Sequence, residues 1–308
     1  MDKYIADTVL MVEPIAFGFN ESAAETNAFQ NRVEDLTHEQ VQQKALHEFI
    51  GYVDLLRSKG IKVIVHKDNI DPYTPDSIFP NNWFSTSPYN KELLVYPMAN
   101  KNRADERRED IINDLIKRGN YNLDSSLLDY EAQGQYLEGT GSMVLDHHNK
   151  ICYACISPRT EKEVIQKWAE KTGYELQIFY AYGEDGSEVY HTNVVMTMAD
   201  EYVVICLASI KDAAERAALT KALEEKSNRH IIDITMDQMN HFAGNMLQLR
   251  NEKGDKFLVM SDTAYDSLTD EQIFIITDKF KNQIIAPKID LIETIGGGSA
   301  RCMIAEIF

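Results

Sequence analysis

The chain has 308 residues, with 31 Lys and Arg against 49 Asp and Glu, a net charge of −18, and 44% apolar residues. This is a globular balance with length for a sizeable core. The excess of acid argues against nucleic-acid or anionic-membrane partners, both of which need Lys and Arg.

From the N-terminus, VLMVEP (9–14) reads as a first strand, and no basic segment followed by an apolar stretch marks the start for export. A long helix follows. Thr37 with Gln40 forms its capping box, Val41, Ala45, Phe49, Val53 and Leu56 form its apolar stripe, and it ends near Gly60 before a second strand, GIKVIVHKD. A new unit opens at Asn82 with NWFSTSPYNKELLVYPM, and the spacing predicts its helix over 103–119. The third unit, 142–180, shows the full pattern of two strands, a helix and another strand. Its helix is expected to start at a Thr160/Glu163 capping box and close at Gly173. The fourth, 193–235, places Asp212 as a helix cap, and a fifth begins at Asn245.

No Gly/Ser/Pro-rich linker interrupts the chain, so 1–308 is expected to be a single domain. Five units of roughly 50–60 residues point to a repeat architecture, in which each unit buries its apolar faces against its neighbours. The fold class is therefore α/β, with pseudo-repeated ββαβ units. A doubly wound sheet would need longer, uniformly Val/Ile-rich strands. No apolar run reaches the ~20 residues of a bilayer span. Cys152, Cys155, Cys206 and Cys302 read as reduced thiols of a cytoplasmic protein.

The most informative segment for chemistry is Gly296-Gly297-Gly298-Ser299-Ala300-Arg301-Cys302. Three consecutive glycines belong where a ligand or another backbone comes close, and the cysteine after them is expected at the lip of that loop. Cys152 and Cys155 form a CxxC, but an odd spacing along a strand sends the two sulfurs to opposite faces. No second CxxC completes a zinc site, and the adjacent His147 and His148 diverge, so no metal is expected. A nucleophilic thiol needs a proton acceptor. His191, in Tyr190-His191-Thr192-Asn193, and Glu138, between Leu137 and Gly139, stand at equivalent edges of successive units. If the units close into a ring, those edges converge.

Together EGTG (138–141), YHTN (190–193) and GGGSARC (296–302) resemble, in order and spacing, the motifs of the guanidino-group-modifying superfamily. That superfamily includes amidinotransferases, arginine and agmatine deiminases and dimethylarginine dimethylaminohydrolase. The chain looks most like the branch described as citrulline-utilisation hydrolases. FGFNESAAETNAFQ, FPNNWFS, NRADERRE, SPRT and AGNMLQL extend the likeness over essentially the whole length. The resemblance implies a five-bladed α/β propeller, pentein-like, with a central site. It implies a thiol nucleophile at Cys302, a general acid/base at His191 and a carboxylate partner at Glu138. It implies no organic cofactor, a small amino-acid substrate, a lid formed by residues 13–30 and a possible homo-oligomer.

The departures from that pattern bear on the substrate. The deiminases carry carboxylates at the positions of Asn82 (or Asn81) and Asn193, where they grip a cationic guanidinium. Amides there suit a neutral ureido group better, since they donate and accept without charge. Arg159 matches the arginine that holds the substrate carboxylate in the dimethylarginine hydrolases. Arg103 is the second candidate, with Arg107 nearly as good a fit. The expectation is a cysteine-dependent hydrolase of a ureido or guanidino amino acid, with citrulline giving ornithine, carbon dioxide and ammonia. Its rivals are an arginine deiminase, a dimethylarginine hydrolase, an amidinotransferase, another thiol hydrolase and a catalytically silent amino-acid-binding propeller.

Overall fold

The computed structural model describes residues 2–308. Five three-stranded sheets share one topology, in which the first strand runs antiparallel to the central strand and the third runs parallel to it. A parallel neighbour requires a crossover, and in each unit helical segments supply it. The second unit pairs Phe84–Thr86, Glu92–Val95 and Asn122–Asp124. The third pairs Val144–Asp146, Ile151–Cys155 and Glu175–Phe179, and the fourth Met196–Met198, Tyr202–Ile205 and His230–Asp233. The fifth pairs Leu247–Arg250, Lys256–Val259 and Gln283–Ile285.

The first sheet is assembled differently. Its central and third strands are Thr8–Glu13 and Lys62–Lys67, and its first strand is Ala305–Ile307, from the other end of the chain. Thr8 stands opposite Ile307 and Leu10 opposite Ala305. The result is a five-bladed α/β propeller of ββαβ units.

The central strands are the buried ones. Every residue of Ile151–Cys155 is buried. Cys152 packs with Leu94, Tyr96 and Trp168, whereas Cys155 packs with Phe179, Val194 and Tyr202, so the two sulfurs do serve different layers. Burial pushes the Cys155 thiol up to about 12 and Cys152 higher still. Both behave as small hydrophobes.

Helix His38–Ser58 carries the expected Thr37/Gln40 capping box and buries Val41, Ala45, Phe49, Tyr52, Val53 and Leu56. Asp212 caps Ala213–Lys221 by accepting from the backbone N–H groups of Ala214 and Glu215. Two expectations need correction. The helix after SPRT begins at Lys162 with Glu161 as its cap position, because Thr160 is buried in a bridge with Ser157 and makes no cap bond. The segment 103–119 is not one helix. Lys101–Ala104 forms a single turn and Glu109–Gly119 follows, with Arg108 extended between them. The charges of 103–107 are held locally and across the fold, Arg103 by Glu106 three residues on and by Asn82, and Arg107 by Glu131.

The arrangement gathers five turns. First strands of neighbouring units touch one another, 84–86 against 305–307 and 196–198 against both 144–146 and 247–250. The turn ahead of each first strand therefore points toward a shared centre. Those turns contain Asn82, Glu138, His191, Asn245 and Cys302, one from each unit.

Candidate active site

Cys302, His191, Asn82, Arg103, Arg159, Asp76 and Tyr190 line one small cavity of about 10 Å³, on the scale of a single water. Cys302 is not at an open lip. It is only 4% exposed, because residues 17–31 fold across the cavity and dock on the glycine loop. Asn27 and Gln30 donate to the carbonyl of Gly296, and the backbone N–H of Asn31 donates to Thr294. Gly297 has φ +61°, and a Cβ there would lie 2.7 Å from the Asn27 amide. The close approach read from the glycine run is thus made at Gly297 by this covering segment, and at Gly296 and Gly298 by the ring of Phe79.

Glu138 and His191 stand at the heads of two short helical turns, Gly139–Ser142 and Thr192–Val195. The turns are locked together. The Thr192 hydroxyl donates to the Ser142 carbonyl and accepts from the Cys155 backbone N–H, and the Ser142 hydroxyl donates to the Arg159 carbonyl. Gly141 lets the residues meet, since a Cβ at that position would sit 2.3 Å from the Asn82 amide and 2.8 Å from the His191 ring.

His191 Nε2 and Glu138 Oε2 share a 2.8 Å hydrogen bond, and the other carboxylate oxygen accepts from the Ala99 backbone N–H. Burial opposes the charge on Glu138. Arg159 at 3.6 Å, His191 and Arg103 at 4.0 Å nevertheless hold its carboxyl well below the usual range. Burial pushes His191 down to about 4 against the pull of Glu138, and the two arginines add to that push. The imidazole is therefore neutral at pH 7 and able to accept a proton.

The two arginines differ in what they have left to offer. Arg103 gives Nε and Nη2 to the Glu106 carboxylate, Nη2 also to the Phe79 carbonyl, and Nη1 to Asn82 Oδ1 at 2.9 Å. It is a brace. Arg107 is turned away from the cavity and forms a paired contact with Glu131. Arg159 donates to the Thr26 hydroxyl and the Ala23 carbonyl of the covering segment, with its Nη1 left toward Glu138.

The asparagines also separate. Asn82 Oδ1 is taken by Arg103, and its Nδ2 is buried without a partner. Asn81 is buried with neither amide atom bonded, and its backbone carbonyl accepts from the Thr140 hydroxyl. Asn193 Nδ2 lies 3.5 Å from the Cys302 sulfur, and the residue lines a neighbouring cavity rather than this one. His147 and His148 do diverge, His147 to the Tyr174 hydroxyl and His148 to Asp2.

Two site residues went unread in the sequence. Asp76 lines the cavity, accepts from Asn20 and lies 3.9 Å from Arg103. Burial raises its carboxyl, against the pull of Arg103. Its place three residues ahead of Phe79, at the approach to the FPNN motif, is the signal that could have found it. Asn245 lies inside AGNMLQL, in the segment that leads into the fifth unit's first strand, as Glu138 and His191 lie in the segments that lead into theirs. The repeat logic alone pointed to it.

These features place the protein in the pentein guanidino-group-modifying superfamily. Residues 13–308 match the family model described as N,N dimethylarginine dimethylhydrolase, eukaryotic, and the chain belongs to that family. Among solved structures, it resembles the substrate-bound N-terminal domain of ArgZ, an arginine dihydrolase from the ornithine-ammonia cycle in cyanobacteria. That match has TM-score 0.72 and 15% identity over 97% of each chain. The chain spans 40% of full-length ArgZ, with TM-score 0.73. It also resembles dimethylarginine hydrolase (DDAH) from Pseudomonas aeruginosa complexed with citrulline, with TM-score 0.64 and 13% identity over 98% of this chain and 100% of that one. At these identities the likeness to solved structures is one of fold. No curated protein matches the chain.

Proposed function

We propose that the protein is a hydrolase that cleaves a C–N bond of citrulline through a covalent adduct on Cys302, releasing ornithine, carbon dioxide and ammonia. The observation that carries this reading is the free amide of Asn82. Its oxygen faces an Arg103 N–H, an unambiguous donor, so the atom left toward the cavity is Nδ2, also a donor. A guanidinium offers only donors, whereas the ureido carbonyl of citrulline accepts. Asn82 would hold that oxygen in the substrate and bond more strongly to the oxyanion formed on attack.

In this mechanism His191 takes the proton of the Cys302 thiol as the sulfur bonds to the ureido carbon. Collapse of the tetrahedral adduct breaks the bond to the side-chain nitrogen, and His191 returns the proton to ornithine as it leaves. A carbamoyl group stays on sulfur. His191 then takes a proton from water, which attacks the carbamoyl carbon, and His191 returns that proton to the sulfur as the C–S bond breaks. The carbamate released decays to carbon dioxide and ammonia. Glu138 orients the imidazole and stabilises its charged form, and Arg159 pairs with the substrate carboxylate. The covering segment must open for entry, because the closed cavity cannot hold an amino acid.

A second reading is favoured by Asp76. With Glu138 it gives the cavity and its wall two carboxylates, which suit an arginine guanidinium. The test is incubation with citrulline, arginine, methylated arginines and agmatine, followed by mass analysis of products and of adducts on Cys302. Ornithine from citrulline, lost in Cys302→Ala, is the expected result. Turnover of arginine alone, with citrulline accumulating, would replace the first reading by the second. Undiminished turnover in Cys302→Ala would remove both.

A further inference from the structure

The Cys302 sulfur is met by the amide of Asn245. Nδ2 of Asn245 lies 3.2 Å from Sγ, and both residues are buried. The orientation of this amide is fixed twice over. Its Oδ1 accepts from the Arg301 backbone N–H at 3.1 Å, which can only donate, and its Nδ2 donates to the Asn193 carbonyl at 3.0 Å, which can only accept. The end facing sulfur is therefore the N–H end. Asn193 brings a second amide to 3.5 Å, but its Oδ1 has no partner to fix which end points inward.

We propose that Asn245 is the positioning residue of the nucleophile, holding the Cys302 sulfur toward the cavity and favouring its ionised form over the thiol. This rests on the reading of Cys302 as the nucleophile and adds how that sulfur is activated. An N–H···S contact gains strength when sulfur becomes charged, so it selects the thiolate. A neutral amide does this without placing another cation beside Arg103 and Arg159, whose charges the substrate carboxylate and the two carboxylates must balance. The other ionisable groups around the sulfur are His191 and Asp76 across the cavity, with Tyr190 and Tyr52 beside it. None of these is given by the structure as a donor to Sγ.

The turn preceding the fifth unit's first strand explains why an asparagine can do this. Asn245 stands two residues ahead of Leu247–Arg250 and His191 five ahead of Met196–Met198, so the segments leading into neighbouring first strands deliver the sulfur's donor and the proton acceptor. All five units then contribute to one constellation.

The test is alkylation of Cys302 by iodoacetamide across pH, read on its own peptide by mass spectrometry, in the wild type, Asn245→Asp and Asn245→Ala. Asn245→Asp keeps the shape and the acceptor for the Arg301 N–H, but replaces the donor by a negative charge. Alkylation at pH 7 is expected to slow by about tenfold or more, the loss of one charge-assisted hydrogen bond, with the profile moved to higher pH. Asn245→Ala is expected to fall between it and the wild type. Both variants are checked by thermal melting, and Asn245→Ser serves if either fails to fold. Profiles superposing on the wild type in folded variants overturn the proposal. Alkylation is read without substrate, so this outcome is separate from the fate of the nucleophile reading, which stands or falls on turnover in Cys302→Ala.

Discussion

The imidazole of His191 is tied to the carboxylate of Glu138 at 2.8 Å, with both side chains sealed from solvent. The contact joins turns from two different units, and Arg159 at 3.6 Å and Arg103 at 4.0 Å face the same carboxylate. Glu138→Gln keeps the shape and removes the charge. The expected outcome is a fall in kcat of about 10²–10⁴, the usual contribution of an oriented acid/base group. Because the arginines lose a buried partner, stability should drop by about 3–5 kcal/mol. Product assays and chemical denaturation measure the two effects separately. A variant at full kcat would show that the imidazole needs no carboxylate.

Acid should unfold the protein through histidines as well as carboxylates. Burial pushes His147 down to about 4, and His191 sits equally low. A histidine whose folded value lies below its unfolded value of about 6.5 adds stability that is complete above pH 6.5. That stability is lost as pH falls toward 4. For His147 the loss is on the order of 3 kcal/mol. Urea midpoints should decline steadily from pH 6.5 to 4, and His147→Asn should flatten that part of the curve. An unchanged slope in the variant would mean His147 is not the group responsible.

Much of this was legible in the sequence, for reasons that can be named. The units from 82 onward announce themselves because each contains its own two strands, helix and third strand in order. The first sheet does not, because its opening strand lies nearly 300 residues away from its partner and no local pattern reports a pairing of Leu10 with Ala305. Glu138 and Cys302 stand in glycine-bearing motifs, and His191 opens the segment that leads into the fourth unit's first strand. Asp76 and the bracing role of Arg103 were hidden, since an ion pair in a charged run such as NRADERRE looks the same whether it is solvated or buried. Which of three arginines turns inward is decided by Glu106, Glu131 and Asp110, and those partners appear only on folding.

Gly141 tests how tightly the turns must approach. Its obstacle to a side chain is contact alone, with the Asn82 amide and the His191 ring in the way. Gly141→Ala should push both aside by a few tenths of an ångström to an ångström. Displacement on that scale costs roughly 10²-fold in rate. The fold should survive, because neither neighbour belongs to the packed core of a sheet. Kinetics together with a melting curve would check this, and a variant with wild-type kcat would show the constellation to be looser than its geometry suggests.

The closing strand of the first sheet carries the last prediction. Ala305 is 2% exposed, lies opposite Leu10, and packs in a cluster with Val12, Trp83, Phe84 and Leu93. Cys302 lies three residues upstream, so the strand that completes the sheet also anchors the nucleophile. Ala305→Asp would bury a carboxylate among apolar side chains with no cation among them, a cost of at least about 3 kcal/mol. Denaturation midpoints should fall accordingly. Activity at a temperature where the variant stays folded should fall too, because the chain from Arg301 to Ile307 would lose its register. Loss of stability with full activity per folded molecule would show that Cys302 is held by its turn alone, without help from the strand.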